Sequence, residues 1–201
     1  MNGAKGQGLQ EAIAVLRNGG IVAYPTDTLY GLAVDPRSAD AVARLFAVKR
    51  REPGHAVPLI AADLQQATEA AVFDERARRV AAAFWPGPLS LVLTARESIR
   101  PEIVAADGSV AVRVPAHPVS RALAEGLGFC ITSTSANLTG DPPASSPAAV
   151  AKILGERIDF LLDAGDSPGG LPSTIVDLRA PEPRLVREGA IAWKRVLRSI
   201  E

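Results

Sequence analysis

Residues 21–34 read Ile21-Val22-Ala23-Tyr24-Pro25-Thr26-Asp27-Thr28-Leu29-Tyr30-Gly31-Leu32-Ala33-Val34, two short apolar runs separated by a polar turn. The first run predicts a buried β-strand that ends at Pro25, and the run from Tyr30 to Val34 predicts a second strand. The connection between them is too short for a parallel crossover, which needs about a dozen residues or more. We therefore expect these strands to belong to a mixed sheet.

Helical and strand patterns alternate along the rest of the chain. Helical spacing of apolar residues covers residues 9–17, 38–49, 64–71, 74–84, 117–127, 147–154 and 191–200. Further strand-like runs cover residues 57–61, 89–94, 110–115, 129–132, 160–162, 174–178 and 185–186. Such interleaving favours an α/β layered domain. Because no linker or repeat divides the chain, we expect one domain over residues 1–201.

Several helix ends carry residues that are suited to capping. Gly19-Gly20 follows the first helical pattern, which is typical of a helix C-terminus. Ser38 and Ser146 each precede a later pattern, and a serine hydroxyl can accept the free N–H groups of a first turn. Trp85-Pro86-Gly87-Pro88 ends another helix and predicts a rigid turn before the next strand.

The composition is that of a globular protein with balanced charge. Of 201 residues, 47% are apolar, and Lys plus Arg equals Asp plus Glu at 22 each. This balance argues against a basic coat for nucleic acid, although it allows a local basic pocket. The single cysteine, Cys130, cannot form an internal disulfide. With no signal-like start and no apolar run near the ~18 residues that span a bilayer, we expect a cytoplasmic protein without membrane contact.

Several common catalytic motifs are absent from the sequence. It has no G-x-x-x-x-G-K-[ST] loop, no G-x-G-x-x-G after a strand and no G-x-S-x-G. The two histidines, His55 and His117, are far apart, and one cysteine cannot build a zinc site, so we expect no metal cage. Cys130 lies in an apolar run, which favours a core residue over a nucleophile.

The remaining polar sets are suited to binding anions. Lys49-Arg50-Arg51 ends a helical pattern, and Lys49 with Arg51 can hold phosphate oxygens as a point charge and a forked donor. An alternative is that these cations only offset the helix dipole, at ~0.3–1 kcal/mol each. Arg113, near the end of a strand, can pair with a carboxylate, or it can be an exposed arginine at an edge.

Hydroxyl and amide side chains follow two other strand patterns. Ser133, Ser135 and Asn137 share one face if their strand continues, but such residues also satisfy the backbone of their own turn. The same two interpretations apply to Thr26 and Thr28. Because most polar sets stand where a strand stops, we expect one anion-binding cavity lined by strand ends. No carboxylate pair is placed for acid–base work, so positioning and charge neutralisation would carry any catalysis.

Seven motifs in this order resemble the YrdC-type family, over about residues 20–191. They are Tyr24-Pro25-Thr26-Asp27-Thr28-Leu29-Tyr30-Gly31-Leu32, Lys49-Arg50-Arg51, Trp85-Pro86-Gly87-Pro88, Val112-Arg113-Val114-Pro115, Ser133-Thr134-Ser135-Ala136-Asn137, Pro172-Ser173-Thr174 and Val186-Arg187-Glu188-Gly189. The resemblance implies an α/β fold in which a twisted mixed sheet and surrounding helices enclose a large, positively charged cavity. It also implies an L-threonylcarbamoyladenylate synthase, a nucleotidyltransferase of tRNA modification that converts L-threonine, bicarbonate and ATP into threonylcarbamoyl-AMP and pyrophosphate.

The resemblance assigns roles to individual residues. Around ATP it places Lys49, Arg51, Ser109, Ser135, Asn137, Ser145 and Arg187, with Lys49 and Arg51 as the catalytic pair. Around threonine it places Thr26, Arg113, Ser133 and Ser173. Mg²⁺ would arrive with ATP, held mainly by the nucleotide. The loop Glu52 to Val57 is longer than the family's link, and the chain stops soon after the family domain, as in the short form.

Two alternatives remain beside the synthase. A non-enzymatic RNA-binding paralogue of the same fold would use the cavity for a phosphate backbone, and the sequence leaves direct RNA contact open. A carbamoyl-phosphate-using maturation module belongs to a longer chain with zinc fingers, whose cysteines are absent here. For the synthase, the expected partners are its substrates and the downstream tRNA threonylcarbamoyl-transferase proteins.

Overall fold

The computed structural model describes residues 3–50 and 56–200, and the side chains from residue 7 onward. Its α-helices are Gly3–Arg17 (α1), Ala39–Lys49 (α2), Leu64–Ala70 (α3), Glu75–Phe84 (α4), Pro118–Leu127 (α5), Pro147–Leu154 (α6) and Trp193–Ile200 (α7). Each begins or ends within a few residues of a helical pattern in the sequence, except that α1 starts six residues earlier than the pattern beginning at residue 9. Within the described ranges, no helix is long and apolar enough to cross a membrane.

Most strands are equally close to the apolar runs, but the short strand Thr134–Ser135 lies in the polar segment that follows Thr132. The strands are Val22–Pro25 (β1), Tyr30–Ala33 (β2), Leu59–Ile60 (β3), Leu89–Thr94 (β4), Ser109–Arg113 (β5), Ile131–Thr132 (β6), Thr134–Ser135 (β7), Phe160–Leu161 (β8), Thr174–Asp177 (β9) and Arg184–Arg187 (β10). They form two sheets, with strand orders β7-β2-β1-β8 and β10-β9-β4-β5-β3-β6. Both sheets contain parallel and antiparallel pairs, and β1 pairs with β2 antiparallel. The predicted mixed α/β fold is confirmed, with two sheets in place of the single sheet expected.

The chain passes from the larger sheet to the smaller one at Ser133. β6 pairs with β3 in the six-stranded sheet, and β7 pairs with β2 in the four-stranded sheet. The Thr132 side chain joins the sheets on the way, because its Oγ1 accepts the N–H of Val34 at 2.9 Å. The strand that begins near Phe129 therefore does not continue in one direction, and Ser133, Ser135 and Asn137 do not share the face of a single strand.

The predicted helix caps are formed. Gly19 has a φ of 77° just after α1, in the left-handed region that glycine adopts without strain. The Ser38 hydroxyl accepts the N–H of Ala41, and the Ser146 hydroxyl accepts that of Ala149. These hydrogen bonds satisfy N–H groups that a helix leaves free in its first turn. They fix where α2 and α6 begin, and therefore where Lys49 stands at the end of α2.

An ion cluster around the buried Asp177 carboxylate joins the last two strands to the loop before β5. The Asp177 carboxylate accepts the Arg179 guanidinium at 3.0 and 2.8 Å and contacts Arg184 at 3.2 Å. Arg179 also reaches Asp107 at 2.7 Å. The hydrogen bonds from Arg179 lower the pKa of Asp177 from 3.8 to about 2, against the opposing effect of burial.

This shift predicts an acid-dependent loss of stability. A carboxyl whose pKa is lowered by folding stabilises the fold above its unfolded pKa, and the stabilisation disappears as pH falls through the folded pKa. We expect the melting temperatures of wild type and Asp177→Asn to differ most above about pH 4 and to converge toward about pH 2. Asp107→Asn, at the exposed end of the same cluster, is the matched control with a smaller effect. Parallel melting temperatures over this pH range would contradict the prediction.

Candidate functional site

A cavity of about 350 Å³ lies between the two sheets. Strands of both sheets and the turns that follow them supply its wall. The lining residues are Thr26, Thr28, Leu29, Tyr30, Gly31, Ala56, Pro58, Leu59, Ile60, Ser90, Ala111, Arg113, Ser133, Thr134, Ser135, Pro172, Ser173, Ile175 and Arg187. Six of the residues assigned by resemblance are among them: Thr26, Arg113, Ser133, Ser135, Ser173 and Arg187.

Arg113 ends β5 and is buried in the cavity wall, with 6% of its surface exposed. Its Nη1 lies 2.9 Å from Oδ1 of Asp27, in the turn after β1. The two atoms form an ion pair without the alignment of a hydrogen bond, and within the described residues neither has a hydrogen-bond partner. Arg113 is therefore not the exposed edge arginine of the alternative interpretation, and Asp27 holds one nitrogen of its guanidinium in the cavity wall.

Arg187 approaches the same cavity from β10. Its guanidinium donates to the backbone oxygen of Ser173 at 2.8 Å and to the Ser173 hydroxyl at 3.3 Å. Burial, and then the positive charge of Arg113, lowers the pKa of Arg187. Two guanidinium groups thus lie close enough to repel each other, an arrangement that a bound anion would relieve.

Ser90 is a cavity residue that the sequence reasoning missed. It lies in β4, is buried, and its hydroxyl is 3.1 Å from that of Ser173. The available signal was a lone hydroxyl in the apolar run Leu89 to Leu93. A single serine in a strand does not show which residues it will contact. Only the pairing of β4 with β9 brings Ser90 beside Ser173.

Thr26 uses its hydroxyl to close the turn between β1 and β2. The oxygen donates to the carbonyl of Leu29 at 2.7 Å and accepts the N–H groups of Thr28 and Leu29, both at 3.2 Å. The alternative that the turn satisfies its own backbone is therefore correct for Thr26. Its oxygen still lines the cavity, so the backbone bonds fix the position of a polar atom there.

Ser133 and Ser135 flank the crossing between the two sheets. The Ser133 N–H donates to the carbonyl of Pro58 at 2.7 Å, which fixes this wall against β3. The Ser135 hydroxyl donates to Oδ1 of Asn137 at 2.6 Å. Both serines line the cavity, whereas Asn137 is buried behind them and is not part of the lining.

Lys49 lies behind Ser135 and is not part of the cavity lining. Its ammonium donates to the carbonyls of Ser135 and Asn137, at 2.6 and 2.8 Å, and to Oδ1 of Asn137 at 2.8 Å. Only 4% of its surface is exposed. This segment accepts three hydrogen bonds from the ammonium. Lys49 is thus more than a helix-end cation, and in this structure its N–H groups hold the Ser135 turn.

Two other assigned residues, Ser109 and Ser145, are not part of the cavity lining. Ser109 begins β5, four residues from Arg113, which is about 13 Å along a strand. Ser145 is exposed and lies outside the lining, although its carbonyl accepts the N–H of Ser167 at 2.8 Å. Arg51, and the part of the long loop from residue 52 to 55, lie outside the described residues.

Among the described lining residues there are two arginines, Arg113 and Arg187, and no Asp or Glu. Asp27 offsets the charge of Arg113 from behind, so the strongly positive cavity stays a prediction. The lining offers hydroxyl groups, two guanidinium groups and backbone N–H donors, without a paired acid and base. Its chemistry suits the binding of carboxylate and phosphate groups by fixed donors.

Residues 14–189 match the model of the Sua5/YciO/YrdC family, which carries the description "telomere recombination". This chain belongs to that family. It is similar to the threonylcarbamoyl-AMP synthase of Halorhodospira halophila, with 40% identity over 183 residues, 90% of each chain. The family relation that the sequence motifs indicated is therefore confirmed.

Solved structures of the family share the fold. P. abyssi Sua5 complexed with L-threonine superposes with a TM-score of 0.90 at 34% identity. The match covers 96% of this chain and 57% of that one, so the chain spans little more than half of the Sua5 structure. E. coli YciO superposes with a TM-score of 0.84 at 28% identity, covering 92% of this chain and 91% of that one.

Proposed function

We propose that this chain is an L-threonylcarbamoyladenylate synthase, which makes threonylcarbamoyl-AMP and pyrophosphate from L-threonine, bicarbonate and ATP. The observation that carries the proposal is a relative named for this activity that aligns over nine-tenths of both chains. A cavity whose wall holds two guanidinium groups is the second support. The product would pass to tRNA threonylcarbamoyl-transferase proteins, which attach it to tRNA.

The amino acid would bind at the Arg113 side of the cavity. The guanidinium of Arg113, which lines the cavity, would donate to the carboxylate of threonine, a charge-assisted bond in a buried site. The hydroxyls of Thr26, Ser133 and Ser173 would surround the rest of the molecule. This assignment is supported by their shared place in the lining and by the L-threonine complex of a Sua5 relative.

The nucleotide would bind in the same cavity, against the Ser135 turn and Arg187. Arg187 at the cavity wall would donate to phosphate oxygens, and the Ser135 turn would supply hydroxyl and backbone groups. Lys49 would act chiefly by holding that turn and by its charge beneath it, because the turn accepts its N–H groups. Arg51 is proposed as a direct phosphate contact on the basis of the motif alone. The motif-based roles of Ser109 and Ser145 in ATP binding remain proposals without a place in the cavity.

Positioning would carry the chemistry. The amine of threonine and bicarbonate would first form a carbamate with release of water. A carbamate oxygen would then attack the α-phosphorus of ATP, forming a P–O bond as the bond to pyrophosphate breaks, and donors fixed beforehand would stabilise the charge on the phosphate oxygens. Within the described residues, no three Asp, Glu, His or Cys side chains gather as metal ligands. Mg²⁺ would arrive on the phosphates as part of the substrate, held mainly by the nucleotide.

Pyrophosphate release tests the proposal directly. With bicarbonate and labelled ATP present, we expect release that depends on L-threonine, together with a threonylcarbamoyl-AMP product identified by mass spectrometry. The match of the chain to named synthases is the reason for this expectation. Omission of threonine is the control. Release without threonine, or no release at all, would contradict it. No release together with RNA binding that is steep in salt and needs no ATP would favour the RNA-binding paralogue.

A further inference from the structure

Asp27 has no role in the proposed reaction, yet it contacts the residue that would bind threonine. Its side chain is 14% exposed and its Oδ1 lies 2.9 Å from Nη1 of Arg113. Among the described residues, this is the one carboxylate that pairs with Arg113. The ion pair with Asp27 therefore stabilises the positive charge of Arg113 inside the cavity wall.

The second oxygen of Asp27 connects the two sheets. Oδ2 accepts the N–H of Ala116 at 3.3 Å, in the segment between β5 and α5. Asp27 itself belongs to the turn after β1, in the four-stranded sheet, whereas β5 lies in the six-stranded sheet. A second link joins α5 to β1, because the Ser120 hydroxyl donates to the carbonyl of Pro25 at 2.7 Å.

These links matter because the proposed threonine contacts stand on different sheets. Thr26 follows β1 and Arg113 ends β5. The distance between their polar atoms is therefore set by whatever fixes one sheet against the other. Asp27 is adjacent to Thr26 in the chain and paired with Arg113 in space, so a single side chain constrains both.

We propose that Asp27 is a positioning residue that holds the guanidinium of Arg113 toward the cavity and fixes its distance from Thr26. The proposal rests on the proposed function, in which Arg113 binds the threonine carboxylate. Three other charged or titratable groups are close. The buried Tyr24 interacts with the charges of both Arg113 and Asp27. Arg187 approaches Arg113 from β10, and His117, the N-cap of α5, feels the charge of Asp27.

Asp27→Asn tests the proposal, because it keeps the size and an acceptor oxygen while removing the charge. We expect KM and Kd for threonine to rise by about ten-fold or more, while KM for ATP changes by less than about two-fold. Asp35→Asn is the matched control, since Asp35 pairs with Arg37 at 2.8 Å outside the cavity. That control is expected to leave all three constants near the wild-type values.

The outcomes separate this inference from the function on which it rests. Wild-type protein that neither binds threonine nor releases pyrophosphate overturns both. An active wild type with unchanged KM and Kd for threonine in Asp27→Asn overturns the positioning role alone. An equal rise in KM for threonine and for ATP, together with a lower Tm, overturns it as well. If Asp27→Asn does not fold, Asp27→Glu replaces it, because it keeps the charge and moves it by one methylene. A selective rise in KM for threonine then supports the role, and an unchanged KM overturns it.

Discussion

Replacing Arg113 by methionine is expected to weaken threonine binding by about 10²–10³-fold, through two effects that act in the same direction. The variant loses a charge-assisted hydrogen bond to the threonine carboxylate, worth ~1.5–3 kcal/mol. It also leaves the Asp27 carboxylate without its partner beside the incoming carboxylate, which adds repulsion. Isothermal titration with threonine measures the affinity, and pyrophosphate release measures the accompanying loss of activity.

A second substitution separates these two effects. In Asp27→Asn/Arg113→Met the repelling carboxylate is gone, so we expect threonine binding to recover in part relative to Arg113→Met. The surface arginine Arg100, paired with Glu102 at 3.0 Å, gives the control Arg100→Met, which should bind threonine as wild type does. Affinity for threonine in Arg113→Met within about two-fold of wild type would show that the carboxylate binds elsewhere.

Replacing Lys49 by methionine is expected to lower both stability and activity. The side chain keeps most of its volume, but the backbone oxygens of Ser135 and Asn137 lose their donor inside the protein. A buried acceptor left without a partner costs ~1–3 kcal/mol, so we expect the free energy of unfolding in urea to fall by ~2–4 kcal/mol. Because the Ser135 turn is then no longer fixed beside the cavity, pyrophosphate release should fall by about 10²-fold or more.

Lys152→Met is the control for the position of the charge. Lys152 stands in the last turn of α6, as Lys49 stands in the last turn of α2, but it is exposed. If both lysines only offset a helix dipole, each substitution would cost ~0.3–1 kcal/mol and leave activity unchanged. An unfolding free energy for Lys49→Met as close to wild type as that of Lys152→Met would contradict the bonding role of the buried ammonium.

Local chemistry made most of the elements predictable. β4 and α6 begin and end where the apolar patterns and the Ser146 cap indicated, because capping and periodicity act over a few residues. The polar residues at strand ends also came together as expected, with Arg113, Ser173 and Arg187 in one lining. The pairing of β1 with β2 was equally predictable from the sequence, since a connection this short excludes a parallel pair.

Other features depended on contacts between residues far apart in the chain. The split into two sheets follows from the pairing of β6 with β3 and of β7 with β2, which no local pattern near Ser133 reveals. Ser90 joined the site only because β4 lies beside β9. The ion pair between Asp27 and Arg113 spans 86 residues of sequence, and the turn alone does not indicate it.

The sequence by itself therefore determined the family, the order of helices and strands, and the set of polar strand ends. These depend on periodicity, capping and motifs, whose physical causes lie within a few residues. Only the tertiary structure decided which polar atoms remain available. It directs the Lys49 ammonium to the carbonyls of Ser135 and Asn137 and pairs Nη1 of Arg113 with the carboxylate of Asp27. The reason is that a hydrogen bond depends on distances and angles between distant segments, which are fixed only when the two sheets pack together.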